Sequence, residues 1–169
     1  MSYSAEEMAI FRDYYERSKE ISREERKQSI EKISPYSRQI NVFIRTTKEL
    51  QVYTNLNLTE TTVTRPTLIL DIDPYYCDES GETNIEKMMS GKSPVDSVTG
   101  DVIDLHHIGQ KYDSPFAELP HSVHELGGNY SALHKTKSSW RNNKELVKLT
   151  TSEIVNYWKK RGEMIRENA

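Results

Sequence analysis

The chain has 169 residues, enough for one ordinary domain or a small domain with an extension, and 35% of them are hydrophobic against 29% charged. Ten tyrosines and two tryptophans mark a folded chain rather than a disordered one. No apolar run approaches the roughly 18 residues of a membrane span, and one cysteine, Cys77, excludes an internal disulfide and a cysteine-based zinc cage.

The formal charge of −3 argues against a generic nucleic-acid coat, but it is unevenly spread. Residues 1–61 are neutral, residues 62–120 carry four basic and eleven acidic side chains, and residues 121–169 carry nine basic and five acidic. A basic last third suits phosphates, and the acidic middle repels them. Cys77 is expected as a free, buried or half-buried thiol.

In chain order, residues 4–33 are expected to be helical. "SAEE" and "SREE" are capping-box signatures, and the ragged stripe of Phe11, Tyr14, Tyr15, Ser18 and Ile21 suggests a helical pair docked on something larger. The N-terminus has neither a basic start nor an apolar h-region, so no secretion signal is read there. Pro35 breaks the helix. "QINVFIRTTKELQVYTNLNL" has period-2 character and predicts a hairpin or two strands. "TLILDI" predicts a strand, "TNIEKMMSGK" a short helix ending at Gly91, and "PVDSVTGD" a turn. "DVIDLHHI" and "SPFAELP" predict two further strands, the second closed by Pro120. "HSVHEL" starts a helix that Gly127 and Gly128 interrupt, "NYSALHKTKSSW" resumes it, and "KELVKLTTSEIVNYWKKRGEMIR" supplies the last helix or two.

All five histidines, His106, His107, His121, His124 and His134, fall on this strand–strand–helix stretch. On a strand, adjacent side chains leave opposite faces, so His106 and His107 do not share a metal. They suit a ligand and a neighbouring base, since a free imidazole has a pKa of about 6.5. Asp104 lies on the face of His106 and is expected to accept that ring's second N–H. His121 and His124 share a helical face. A structural zinc site is the competing reading, but it requires four ligands and there is no cysteine set to supply them. Trp140 and Trp158 are expected in the core. No serine sits in a nucleophile-elbow pattern, which leaves acyl transfer unsupported.

The ordered motifs "RPTLILDIDP", "DESGETNIEKM", "GKSPVD", "LHHIGQK", "SPFAEL", "GNYSALH", "SSWRNNKEL" and "YWKKR" resemble the LHH family of bacterial toxin nucleases, within the HNH/endonuclease VII superfamily, over about residues 65–165. The resemblance implies an α+β fold: a ββα-metal core with additional helices, placed in residues 65–169, behind an N-terminal segment 1–64 of helices and short strands whose role it does not address. It implies a metal-dependent endonuclease, DNA being the favoured substrate, with an RNase on the same scaffold or a non-catalytic zinc-binding interaction module as alternatives.

By position, the resemblance makes His107 the general base and His106, His124 and His134 ligands of one divalent ion (Zn, Mg, Mn or Ni), with Asn129 as a possible further ligand or structural residue. Gln110, Lys111, Lys135, Lys137 and Arg141 become candidates for substrate contact. Val123 stands where the pattern has a polar residue, and His121, which matches nothing in it, is expected to face solvent or phosphate. The family implies export as part of a larger toxin, action in the target-cell cytoplasm, no membrane insertion by this segment, and a cognate immunity protein, expected to be acidic.

Overall fold

A computed structural model of the chain describes residues 5–125, 129–134 and 140–168. Helix α1 (Ala5–Ile33) is one helix rather than a pair. The stripe expected on Phe11, Tyr14, Tyr15, Ser18 and Ile21 lies outside the described side chains, as do Gly127 and Gly128.

The largest departure from expectation follows Pro35. Residues expected as strands form helices α2 (Arg38–Asn41) and α3 (Thr47–Asn55), and only then strand β1 (Thr59–Thr62). The cause is local. Thr46 has extended backbone and its hydroxyl accepts from the Glu49 N–H, so "TTKE" nucleates a helix through its cap. Leu50 and Tyr53 then point into the core at helical spacing.

The remaining elements are β2 (Pro66–Ile69), α4 (Asn84–Met89), β3 (Ile103–His107), β4 (Phe116–Pro120), α5 (His121–Glu125), α6 (Asn129–Leu133) and the single long helix α7 (Lys144–Glu167). Thr83 and Glu86 close a reciprocal capping box on α4. The sheet order is β1-β2-β4-β3, with β2 and β4 parallel and the outer pairs antiparallel. The class is therefore α+β, and β3, β4 and α5 form the expected ββα unit.

Register assigns the two faces. His107 pairs with Phe116 and Leu105 with Glu118, so these four side chains share one face, which packs on α7. Asp104 and His106 leave the other face, toward α5 and α6. Helix α4 lies along α7 and approaches closely because Gly162 has no side chain: a Cβ there would stand 3.1 Å from Met88 Cβ.

The division expected between residues 64 and 65 falls between the paired strands β1 and β2. Ile30, Ile40, Leu50, Tyr53 and Leu58 belong to the same core as Leu68, Phe116 and Trp158. Trp158 is core as expected, whereas Cys77 is exposed.

At the centre of the sheet, Glu118 is fully buried. It accepts from Tyr157 Oη at 2.7 Å, Arg161 Nε at 2.9 Å and the Leu70 N–H at 2.8 Å. Arg161 also donates to the Leu70 carbonyl. Burial pushes the Glu118 carboxyl up, and the Arg161 charge and these donors pull it back. Removing one partner of a buried ion pair strands the other charge. Glu118→Ala should therefore lower stability by about 3–5 kcal/mol, read as a drop in the urea midpoint at unchanged slope.

Candidate active site

The turn after the double histidine sets the geometry. Gly109 has φ +71°, and a Cβ there would lie 2.5 Å from the Phe43 carbonyl oxygen, so only glycine fits. The Gly109 N–H donates to Glu49 Oε1 at 3.2 Å. Glu49 is itself fully buried, accepting from Tyr53 Oη and the Arg45 N–H. Arg45 in turn donates to the Leu133 carbonyl at 2.9 Å, which ties the segment before α3 to the end of α6, next to His134. Neither Glu49 nor Arg45 was expected at the site. The "TTKE" cap was their one visible signal.

On the Asp104 face, three imidazoles converge. His106 Nδ1 lies 3.2 Å from His124 Nε2, which lies 3.2 Å from His134 Nε2. The tautomers follow from the outer nitrogens. His124 Nδ1 donates to Asp104 Oδ2 at 2.9 Å, and His134 Nδ1 faces the Tyr130 carbonyl at 3.2 Å. Each of these rings then aims a bare Nε2 lone pair inward. Two bare lone pairs at that distance repel unless a cation lies between them. Nitrogens held tetrahedrally at the usual Zn–N length of about 2.0–2.1 Å are about 3.3 Å apart. The three residues therefore fit a divalent ion, and they form a metal-type cluster in which His106 and His124 are buried.

Burial, reinforced by the charges of His124 and His134, holds the His106 pKa well below the usual imidazole value. Burial also lowers His134. A neutral imidazole is the form that ligates.

Asp104 does not orient His106, as expected, but His124, because α5 crosses directly over its carboxylate. It also accepts from His121 Nδ1 at 2.8 Å, so His121 is exposed yet tethered, and this bond raises its pKa. Burial pushes the Asp104 carboxyl up, but the two histidine bonds outweigh it and leave it below its ordinary value. Val123 is half-buried against the core, which explains an apolar residue before His124.

His107 sits on the opposite face, edge-on to Phe116 at 4.8 Å and tilted against Trp140 at 5.0 Å. Burial, then the charges of Arg65 and Arg141, push its pKa down to about 4. Its Nε2 is buried with no partner among the described residues. Because His107 ends the strand, it still reaches the same cleft, lined by His106, His107, Gln110, His134, Trp140 and Arg141.

Trp140, expected in the core, is half-buried and forms one wall of the cleft. Gln110 and Arg141 line the cleft, whereas Lys111 lines a neighbouring groove. Asn129 is the first residue of α6 and is half-buried. Lys135 and Lys137 lie outside the described residues.

Asp104→Ala should weaken zinc binding by about 10–100-fold, the usual effect of losing a carboxylate behind a metal-binding imidazole. Calorimetry checks this, and unchanged affinity would remove Asp104 from the support of His124.

No solved structure matches the chain significantly. A family model described as a nuclease of the HNH/ENDO VII superfamily with conserved LHH matches residues 83–164, from the capping box of α4 to the last turns of α7. The match starts later than residue 65, where the motif resemblance began. It contains Leu105, His106 and His107, both core strands of the ββα unit, and all three converging imidazoles. Over residues 83–164 the chain matches the LHH nucleases of the HNH/ENDO VII superfamily.

Proposed function

We propose that this nuclease is a metal-dependent endonuclease that hydrolyses phosphodiester bonds of DNA, and that it works as the effector domain of a bacterial polymorphic toxin. One observation carries the metal-dependent reading: three imidazole nitrogens, from β3, α5 and the residue that follows α6, converge, with outer hydrogen bonds that leave His124 and His134 bare toward the centre. His106, His124 and His134 would hold one divalent ion. Bound there, it supplies Lewis-acid stabilisation of the charge that develops on the phosphate and the leaving oxygen. Asp104 and Glu125 lie beside His124 and form a second carboxylate-containing group around it.

The chain's own groups do the rest. His107 would be the base that takes a proton from water, and its Nε2 has no protein partner among the described residues. The water oxygen then bonds to phosphorus as the bond to the leaving oxygen breaks. Phe116 and Trp140 fix the base's ring, and Arg141 and Gln110 meet the phosphate at the cleft. These roles are assigned to residues 65–169, with residues 1–64 supporting the site from behind.

The family resemblance supports the remaining context: export within a larger toxin, action in the cytoplasm of a target cell, and a cognate immunity protein. The basic last third suits an acidic inhibitor directed at the basic residues around Lys135 to Lys148.

Incubation with plasmid DNA and with total RNA across Zn²⁺, Mg²⁺, Mn²⁺ and Ni²⁺ tests the activity directly. DNA should be cut and a chelator should stop the reaction; cleavage of RNA alone would replace DNA as the substrate. His107→Ala should reduce kcat by about 10²–10⁴-fold at unchanged metal affinity, whereas His124→Ala should lose metal and activity together. For the inhibitor, stopped-flow association should slow steeply between low and high salt. A salt-independent on-rate would move its contact off the basic surface.

A further inference from the structure

Beside the turn at Gly109 to Lys111 lies a second, larger cavity of about 390 Å³. Its walls come from α1 and from the residues between α2 and α3: Arg23, Arg26, Lys27, Phe43 and Arg45, closed by Lys111. Charge segregates along α1. At 100° per residue, Arg12, Lys19, Arg23, Arg26 and Lys27 fall within an arc of about 100°. Asp13, Glu20, Glu24 and Glu31 fall on the adjoining arc. Glu16 is the one acidic side chain in the basic arc, and it pairs with Lys19 at 3.3 Å.

The groove's charge is not cancelled from below. Glu49 is buried and matched to Arg45 at 3.6 Å. Lys111 reaches toward the Phe43 ring, with Nζ 5.8 Å from its centroid. The wall between groove and cleft is one turn of chain: Gln110 lines the cleft, while its neighbours Gly109 and Lys111 line the groove. A polyanion would have only that turn to cross between them.

We propose that this groove, outside the segment matched to the family, binds the sugar-phosphate backbone of the nucleic-acid substrate several nucleotides away from the scissile bond, with Arg23, Arg26, Lys27 and Lys111 as its phosphate contacts. The proposal rests on the nuclease reading above. It gives residues 1–64 a second role: besides holding the turn at Gly109, they extend the substrate track.

The test uses the full chain. A variant neutralised at three positions, R23Q/R26Q/K27Q, is compared with the charge-preserving R23K/R26K/K27R. Binding of a fluorescent duplex is followed by anisotropy without divalent ion, from low to high salt, and hydrolysis of bis(p-nitrophenyl) phosphate is measured with it.

Each phosphate contact contributes about 0.9 to the slope of log K against log salt, so the neutralised variant should flatten that slope by roughly 2–3 and bind at least roughly tenfold more weakly. Its rate on the small diester, which cannot reach the groove, should match the wild type, and the charge-preserving variant should bind like the wild type. Unchanged slope and affinity overturn the proposal, as does an equal loss in the charge-preserving variant or on the small diester. Loss of poly-glutamate binding with duplex binding intact would reassign the groove to an acidic protein and overturn it too. A wild-type protein that cuts neither nucleic acid nor the diester would instead overturn the nuclease reading itself.

Discussion

His106 and His107 are adjacent on an edge strand, and adjacent side chains on a strand leave by opposite faces. The rest of the molecule follows from having to cover both. One face must bring α5 and α6 close enough to place His124 and His134 beside His106. The other must enclose His107 without filling the space around it, and α7 does so with Phe116 beneath and Trp140 at the side. Because His107 is the last residue of β3, both faces open into one cleft at the strand's end. A longer strand would separate them.

Both layers are locked to the sheet by buried carboxylates, each matched to an arginine. Glu118 joins β4 to α7 through Tyr157 and Arg161. Glu49 joins α3 to the turn after His107, and its partner Arg45 reaches the carbonyls at the end of α6. Buried ion pairs are weak sources of net stability, because desolvating both charges is costly, but they tolerate few alternative arrangements. That property suits these positions. A shift of α7 against β4 or of α6 against α3 leaves a buried charge without its partner, so the histidines keep their spacing.

The ββα stretch was legible because its signals are local: alternation in "DVIDLHHI", Pro120 at a strand end, and five histidines in one run. Period 2 failed at "QINVFIRTTKELQVYTNLNL", where β-branched residues mimic a strand but the Thr46 cap and the burial of Leu50 and Tyr53 impose helices. The partner of Asp104 was illegible for another reason. Strand periodicity tells which residues share a face, but not which helix will cross that face, and α5 arrives seventeen residues later to claim the carboxylate through His121 and His124. Trp140 reads as core in any composition argument. Its place beside His107 depends on the chain returning from α6 to start α7.

The least legible part is the first third of the chain, which has no motif tied to chemistry and yet is built into the site. Its strand β1 continues the sheet, its Phe43 carbonyl requires a glycine after the double histidine, and Glu49 holds that glycine's N–H. A turn with φ +71° at Gly109 and +58° at Gln110 is costly for an isolated loop and persists only where surrounding groups hold it. Here those groups come from residues 43 and 49. The direction in which Gln110 enters the cleft therefore depends on packing made sixty residues earlier, and the catalytic stretch and the N-terminal third act as one physical unit.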